Sequence, residues 1–303
     1  MSIKKLFRNR NFILVLSVVL GLTIGERGAV WTQPLVLPIL ALIMTLSTTN
    51  ITSREFASIK TMLGRILVPL LINYIAMGGI ILLMGRWLID DNEIWTGLVV
   101  LAAVPTAIAA IPWTNLLGGD TFFSLISVMG AYLAALVLTP VIMVLFLGID
   151  FFNPVGLLIL LGELILIPIA ASRILLFTGL AKRIEKWRGT VVNWSFFIIL
   201  FTIIGLNNQA FFGEFDVLVR LSIIGIMVSF VLSYAIELIA KAFHARQETI
   251  ISLIFVGAMK NFGLASGIML TLFTERSTIT SSIFIVFGLL RTLWLGFHFK
   301  KPT

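Results

Sequence analysis

Lys260 sits deep inside an apolar stretch, in the run AlaMetLysAsnPheGlyLeuAla at 258–265, about 11 residues or roughly 17 Å into a helix-length segment. A charge at that depth costs about 2.5–3.5 kcal/mol on insertion scales, so it must face a polar cavity or a partner. Two chemistries suit it: a permanent positive strut, or a group that releases and regains a proton during a working cycle. Glu163 lies at a similar depth in another apolar segment and is a candidate partner, and a Glu163–Lys260 pair would act as a gate or proton relay. Arg173 and Arg291 are the alternative partners for Glu163.

Lys260 belongs to one of two interrupted hydrophobic segments. The first carries Pro105, Thr106, Pro112, Thr114 and Asn115, and the second Lys260, Asn261, Gly263 and Ser266. One proline in a helix is an ordinary kink. Two interruptions about half a chain apart, each in the fourth apolar stretch of its half, predict broken helices whose freed N–H groups, carbonyls and ends bind a substrate. Half-helix N-termini and Lys260 both favour negative charge, which points to a small organic anion such as a carboxylate. Close packing at small residues is the competing explanation for the same segments.

The elements that must hold these residues follow from composition. With 59% hydrophobic and 12% charged residues the chain is a polytopic membrane protein, and long apolar runs without alternation predict a helical bundle. Ten spans are expected, at about 11–25, 33–48, 61–84, 95–116, 120–147, 155–178, 190–206, 217–240, 249–273 and 278–296. The apolar run from Phe12 is followed by GlyGluArgGly and not by a small-residue cleavage site, so a retained first helix is expected.

Charge sets the topology. Fifteen basic residues fall in loops on the side of the N-terminus, namely Lys4, Lys5, Arg8, Arg10, Arg54, Lys60, Arg65, Lys182, Arg183, Lys186, Arg188, Lys241, Arg246, Lys300 and Lys301; Arg27, Arg86 and Arg276 fall on the other. The bias predicts a multi-pass cell-membrane protein with both termini cytoplasmic. Five spans on each side of Pro154 predict two inverted repeats, residues 1–150 and 151–303, with panel and core domains interleaved from both.

Several function classes are excluded or disfavoured. The net charge of +8 is accounted for by loop topology, so no nucleic-acid partner is expected, and the absence of cysteine removes thiol chemistry. No nucleophile with a nearby base appears within the spans, so no enzyme, metal site or cofactor is expected. His244 and His298 lack metal-ligand spacing and read as solvated, and AsnIleThr at 50–52 reads as an incidental glycosylation match. The sequence leaves the oligomeric state open.

Four segments carry a family likeness: LeuIleMet at 42–44 with Ile51, Thr52, Glu55 and Phe56; AsnTyrIleAlaMet at 73–77; the ungapped run from ValPro at 104–105 through GlyAsp at 119–120 to ThrPro at 139–140; and 258–265. On these the chain resembles the bile acid:sodium symporter family, in the superfamily that also holds arsenite permeases and auxin efflux carriers. The resemblance implies an all-α fold of ten helices with a panel domain and a core domain, and discontinuous fourth and ninth helices that cross.

The resemblance also marks departures. Where the family's sodium sites have a serine and an asparagine in the fourth helix this chain has Ala110 and Ile111, and where the ninth supplies a glutamate and a glutamine it has Val256 and Lys260. Ser124 persists, Asn73 replaces a glutamine and Val128 a threonine. Hard cations want oxygen ligands, so the exchange of a carboxylate for an ammonium predicts transport without sodium, with Lys260 standing where the ion stands in relatives. Asn73, Ser124, Glu163 and Lys260 are the coupling candidates. The expected function is alternating-access transport of a small organic anion; the alternatives are a proton-coupled antiporter or exporter using Lys260 or Glu163, and a non-transporting membrane sensor of the same fold.

Overall fold

The computed structural model describes residues 9–49 and 63–299. Among these residues the chain is helical, and its one strand-like feature is an isolated antiparallel bridge between Thr106 and Lys260. The glycosylation match and the residues named above at positions 4, 5, 8, 51, 52, 54–56, 60, 300 and 301 lie outside it, as does the side chain of Arg65.

Among the described residues seven helices are long and apolar enough to cross a membrane: α2 (Glu26–Thr48), α3 (Ile66–Leu88), α6 (Thr121–Leu147), α7 (Pro154–Phe177), α8 (Leu180–Leu206), α10 (Phe215–Ala242) and α13 (Glu275–His298). Four more are apolar but shorter: α1 (Arg10–Ile24), α4 (Asn92–Ala103), α11 (Gln247–Gly257) and α12 (Phe262–Leu272). Short helices α5 (Ala110–Leu116) and α9 (Asn208–Gly213) complete the order.

Local chemistry sets the boundaries that matter. Asp91 caps α4 by accepting from the backbone N–H groups of Glu93 at 2.8 Å and Ile94 at 3.1 Å, satisfying two of the helix's orphan donors. The same helix stops at Ala103 because Pro105 pushes Val104 into extended geometry, with φ −73° and ψ 152°. Asn261 begins α12 by accepting from Leu264 N–H at 3.1 Å, and Asn153 begins α7 with Pro154 at the first helical position. Three helices carry a π-helical turn: Ile72–Met77 in α3, Gly162–Leu166 in α7 and Met227–Val231 in α10.

Two boundaries differ from the sequence expectation. Helix α8 starts at Leu180, ten residues before the expected 190, because its charged first turns through Arg188 stay helical beyond the apolar part. Hydropathy marks only the apolar part. Helix α2 starts at Glu26, directly after a corner at Gly25, whose φ of +65° only glycine adopts cheaply; a β-carbon there would also strike the Asn208 side chain.

Helix α8 packs along α1 and α2, and α2 packs against α7. Helix α4 is enclosed by α3, α6 and α13, and α11 by α5, α6 and α10. The second half of α4, from Leu98 to Ala103, is almost wholly buried, so the end of this helix sits in the interior of the protein.

Candidate functional site: the crossing of two broken helices

The two interruptions meet. After α4 and before α12 the chain is extended, and the segments pair antiparallel: Ala107 N–H donates to Met259 O at 3.0 Å and Asn261 N–H to Pro105 O at 2.9 Å. An end of α4 and an end of α11, each with carbonyls lacking an intrahelical partner, are thereby brought into the protein interior.

Side chains from elsewhere satisfy those carbonyls. At the end of α4, the fully buried Lys260 ammonium donates to Ala102 O at 2.7 Å and Val104 O at 2.9 Å, and Thr139 on α6 donates to Ala103 O at 2.8 Å. The ammonium also lies 4.4 Å from the centre of the Tyr74 ring, close enough for cation–π attraction. At the end of α11, the Asn73 amide donates to Val256 O at 3.4 Å and Gly257 O at 3.3 Å, and the Arg291 guanidinium donates to Ala258 O. Both helix ends carry the negative pole of the helix dipole, equivalent to about half an elementary charge, which is what a buried cation needs.

Pro105, Thr106, Lys260, Asn261 and Asn73 therefore come together. Thr106 is fully buried and its hydroxyl has no hydrogen-bond partner among the described residues, as is true of the Asn73 carbonyl oxygen, while the Asn261 amide donates to the Tyr132 hydroxyl at 2.7 Å. Thr114 and Ser124 share a buried hydroxyl hydrogen bond of 3.0 Å. Ser266 is buried, and its hydroxyl donates to Phe262 O in its own helix at 2.9 Å.

Glu163 stands apart. Its side chain is exposed on the π-helical turn of α7 and has no ion-pair partner among the described residues, so the structure does not bring it to Lys260. Arg291, raised from the sequence only as a neighbour for Glu163, turns out to be about 1% exposed and engaged with the end of α11. Counting residues places this arginine only five from the end of its expected span, nearer an edge than Lys260, so depth alone does not single it out. His298 is exposed, as expected of a solvated side chain, and its ring nitrogen lies 3.0 Å from the buried Glu237 carboxylate, which also holds Lys241 at 2.6 Å, while the ring stacks on Trp294.

A cavity of about 820 Å³ opens beside the crossing. Pro112 and Asn115 line it together with Arg10, Asn193 and Arg188. The Arg10 guanidinium lies 4.3 Å over the Trp113 ring. A smaller, mostly apolar cavity of about 90 Å³ shares Arg10, Ala109 and Phe196 with it and is bordered by Lys260, Asn261 and Gly263. At the far end of α4, Arg276 joins three acids, Asp91 at 2.9 Å and Glu93 at 3.7 Å from the start of that helix and Glu214 at 2.7 Å from between α9 and α10.

Apolar helices of membrane-crossing length around two crossed, broken ones define a membrane transporter. The chain belongs to the SBF-like CPA transporter family, a bile acid:sodium symporter-like family whose model matches residues 11–290. No curated protein matches the sequence.

Proposed function

We propose that this protein moves a small organic anion by alternating access, without sodium, and that Lys260 serves as a fixed cation in the crossing. The observation that carries the reading is the Lys260 ammonium seated on the Ala102 and Val104 carbonyls at 2.7 and 2.9 Å. Half-helix C-terminal ends with unwound carbonyls are where transporters of broken-helix design coordinate small cations. Here a side chain already fills that place, and the residues aligned with sodium ligands by resemblance, Ala110, Ile111 and Val256, offer no side-chain oxygen.

Ten crossings follow if α4 with α5, and α11 with α12, each count as one interrupted span. Two inverted repeats, 1–150 and 151–303, are supported by matched irregularities: Pro105 and Lys260 are about 155 residues apart, and so are the π-helical turns at Ile72 and Met227. Helices α1, α2, α7 and α8 would form the panel, and the others the core. The large cavity is flanked by Arg10 and Arg188, which the positive-inside bias assigns to the cytoplasm, so the substrate path opens inward in a cell-membrane protein with cytoplasmic termini. Pro112, Asn115, Asn261 and Gly263 line the path; Pro105, Thr106, Thr114 and Ser266 shape its backbone.

Uptake of a panel of radiolabelled carboxylates and other organic anions into proteoliposomes tests this reading. It expects at least one anion to accumulate at the same rate in sodium and choline buffers. Uptake that appears only with sodium, or only for cations, would refute it.

A further inference from the structure

The end of α11 presents the same electrostatic problem as the end of α4, and Arg291 occupies the corresponding post. We propose that Arg291 is a second fixed cation, so that each broken helix of the crossing is closed by its own buried positive side chain. The inference rests on the fixed-cation reading of Lys260 and adds a residue to it.

Four observations support the assignment. Arg291 is about 1% exposed, as deeply buried as Lys260, in the apolar helix α13. Among the described residues no carboxylate forms an ion pair with either cation, so conventional charge pairing there does not explain their burial. Each instead donates to a backbone carbonyl at or just beyond the end of a broken helix: Lys260 to Ala102 and Val104, Arg291 to Ala258. Each also faces an aromatic ring, Tyr74 at 4.4 Å and Phe255 at 5.7 Å.

The guanidinium is bound through one nitrogen alone. Its Nε and Nη2 have no hydrogen-bond partner among the described residues. A group buried only to complete a hydrogen-bond network would use more of its donors, because each unmade bond carries a desolvation penalty. What Arg291 supplies is positive charge beside the negative end of α11, where the neutral Asn73 amide already serves Val256 and Gly257. Removing it leaves a negative, carbonyl-lined vacancy of guanidinium size.

Thermal unfolding of the purified full chain tests this, with Arg291→Met, Arg291→Gln and Arg291→Lys compared in sodium, millimolar guanidinium and choline at equal ionic strength. The parent and Arg291→Lys should be indifferent to the cation. Arg291→Met and Arg291→Gln should melt several degrees lower in choline and regain part of the loss in sodium or guanidinium. Arg291→Gln keeps an amide donor and carries the test if Arg291→Met does not fold. Parental stability of Arg291→Gln in choline, no rescue by either cation, or an Arg291→Lys variant that behaves like Arg291→Gln would overturn the proposal. Sodium dependence in the parent itself would instead defeat the fixed-cation reading of Lys260, which keeps the two failures distinguishable.

Discussion

The Lys260 ammonium lies 2.7 Å from the carbonyl oxygen of Ala102, a residue 158 positions earlier in the chain. This contact ties the second broken segment to the end of the first helix half, while the backbone bridge between Thr106 and Lys260 ties the two extended segments to one another. Charge and backbone pairing thus act at the same residue, and the geometry of the crossing depends on the side chain that Lys260 carries.

Replacing Lys260 with methionine removes both hydrogen bonds and leaves the Ala102 and Val104 carbonyls buried and unpaired. An unpaired buried group costs about 1–3 kcal/mol, and relief from burying a charge offsets part of the sum, so a net loss of about 2 kcal/mol is expected. Thermal unfolding in detergent measures it. A variant as stable as the parent would show that the carbonyls find other partners.

Thr139→Val deletes the hydroxyl that donates to Ala103 O at 2.8 Å while nearly keeping the side chain's volume. A loss of about 1 kcal/mol is expected, and Thr139→Ser should recover most of it. Equal melting points for the valine and serine variants would remove Thr139 from the helix end.

Gly97 faces α13 so closely that a β-carbon would lie 2.6 Å from the Thr280 hydroxyl and would also collide with the Ser277 carbonyl. Backbone cannot retreat as a side-chain tip can, so Gly97→Ala should cost about 3 kcal/mol and greatly reduce the yield of folded protein. Parental yield and melting point would mean that α4 and α13 separate easily.

Stability should also fall in acid through Asp91. Burial raises its pKa, but the Ile94 N–H, the Arg276 guanidinium and the Glu93 N–H outweigh that and hold the carboxyl below the ordinary value. A carboxyl with a depressed folded-state pKa adds stability that is fully present above the unfolded value, about 3.9, and is lost as pH falls through the folded one. Asp91→Asn should therefore flatten the acid limb of a melting-point profile, and an unchanged limb would place the acid sensitivity elsewhere.

Much of the site was legible in the sequence because its causes are local. Pro105 dictates the end of α4, Asn261 the start of α12, and the depth of Lys260 follows from counting residues along an apolar run. Contacts made only by packing were not legible. Arg291 reaches Ala258 from 33 residues away and Thr139 reaches Ala103 from 36, and neither spacing leaves a periodic trace. Equal depth suggests a Glu163–Lys260 pair, yet depth says nothing about the face of a helix, and Glu163, on the π-helical turn of α7, is exposed and forms no ion pair with the buried Lys260.

That placement yields a further expectation. Glu163→Gln should leave the pH dependence of transport in reconstituted vesicles unchanged, since its exposed carboxyl forms no ion pair with Lys260. Loss of pH dependence in this variant would return Glu163 to the coupling machinery.

The central claim is that a side chain fills a cation's place in the crossing, and sodium-dependent melting tests it most directly. Purified parent protein and Lys260→Gln should be compared in sodium and in choline at matched ionic strength and pH, since a ligand bound only by the folded state raises the melting point. The account predicts no difference for the parent and a higher melting point in sodium for Lys260→Gln. A clear sodium-dependent rise in the parent would contradict it.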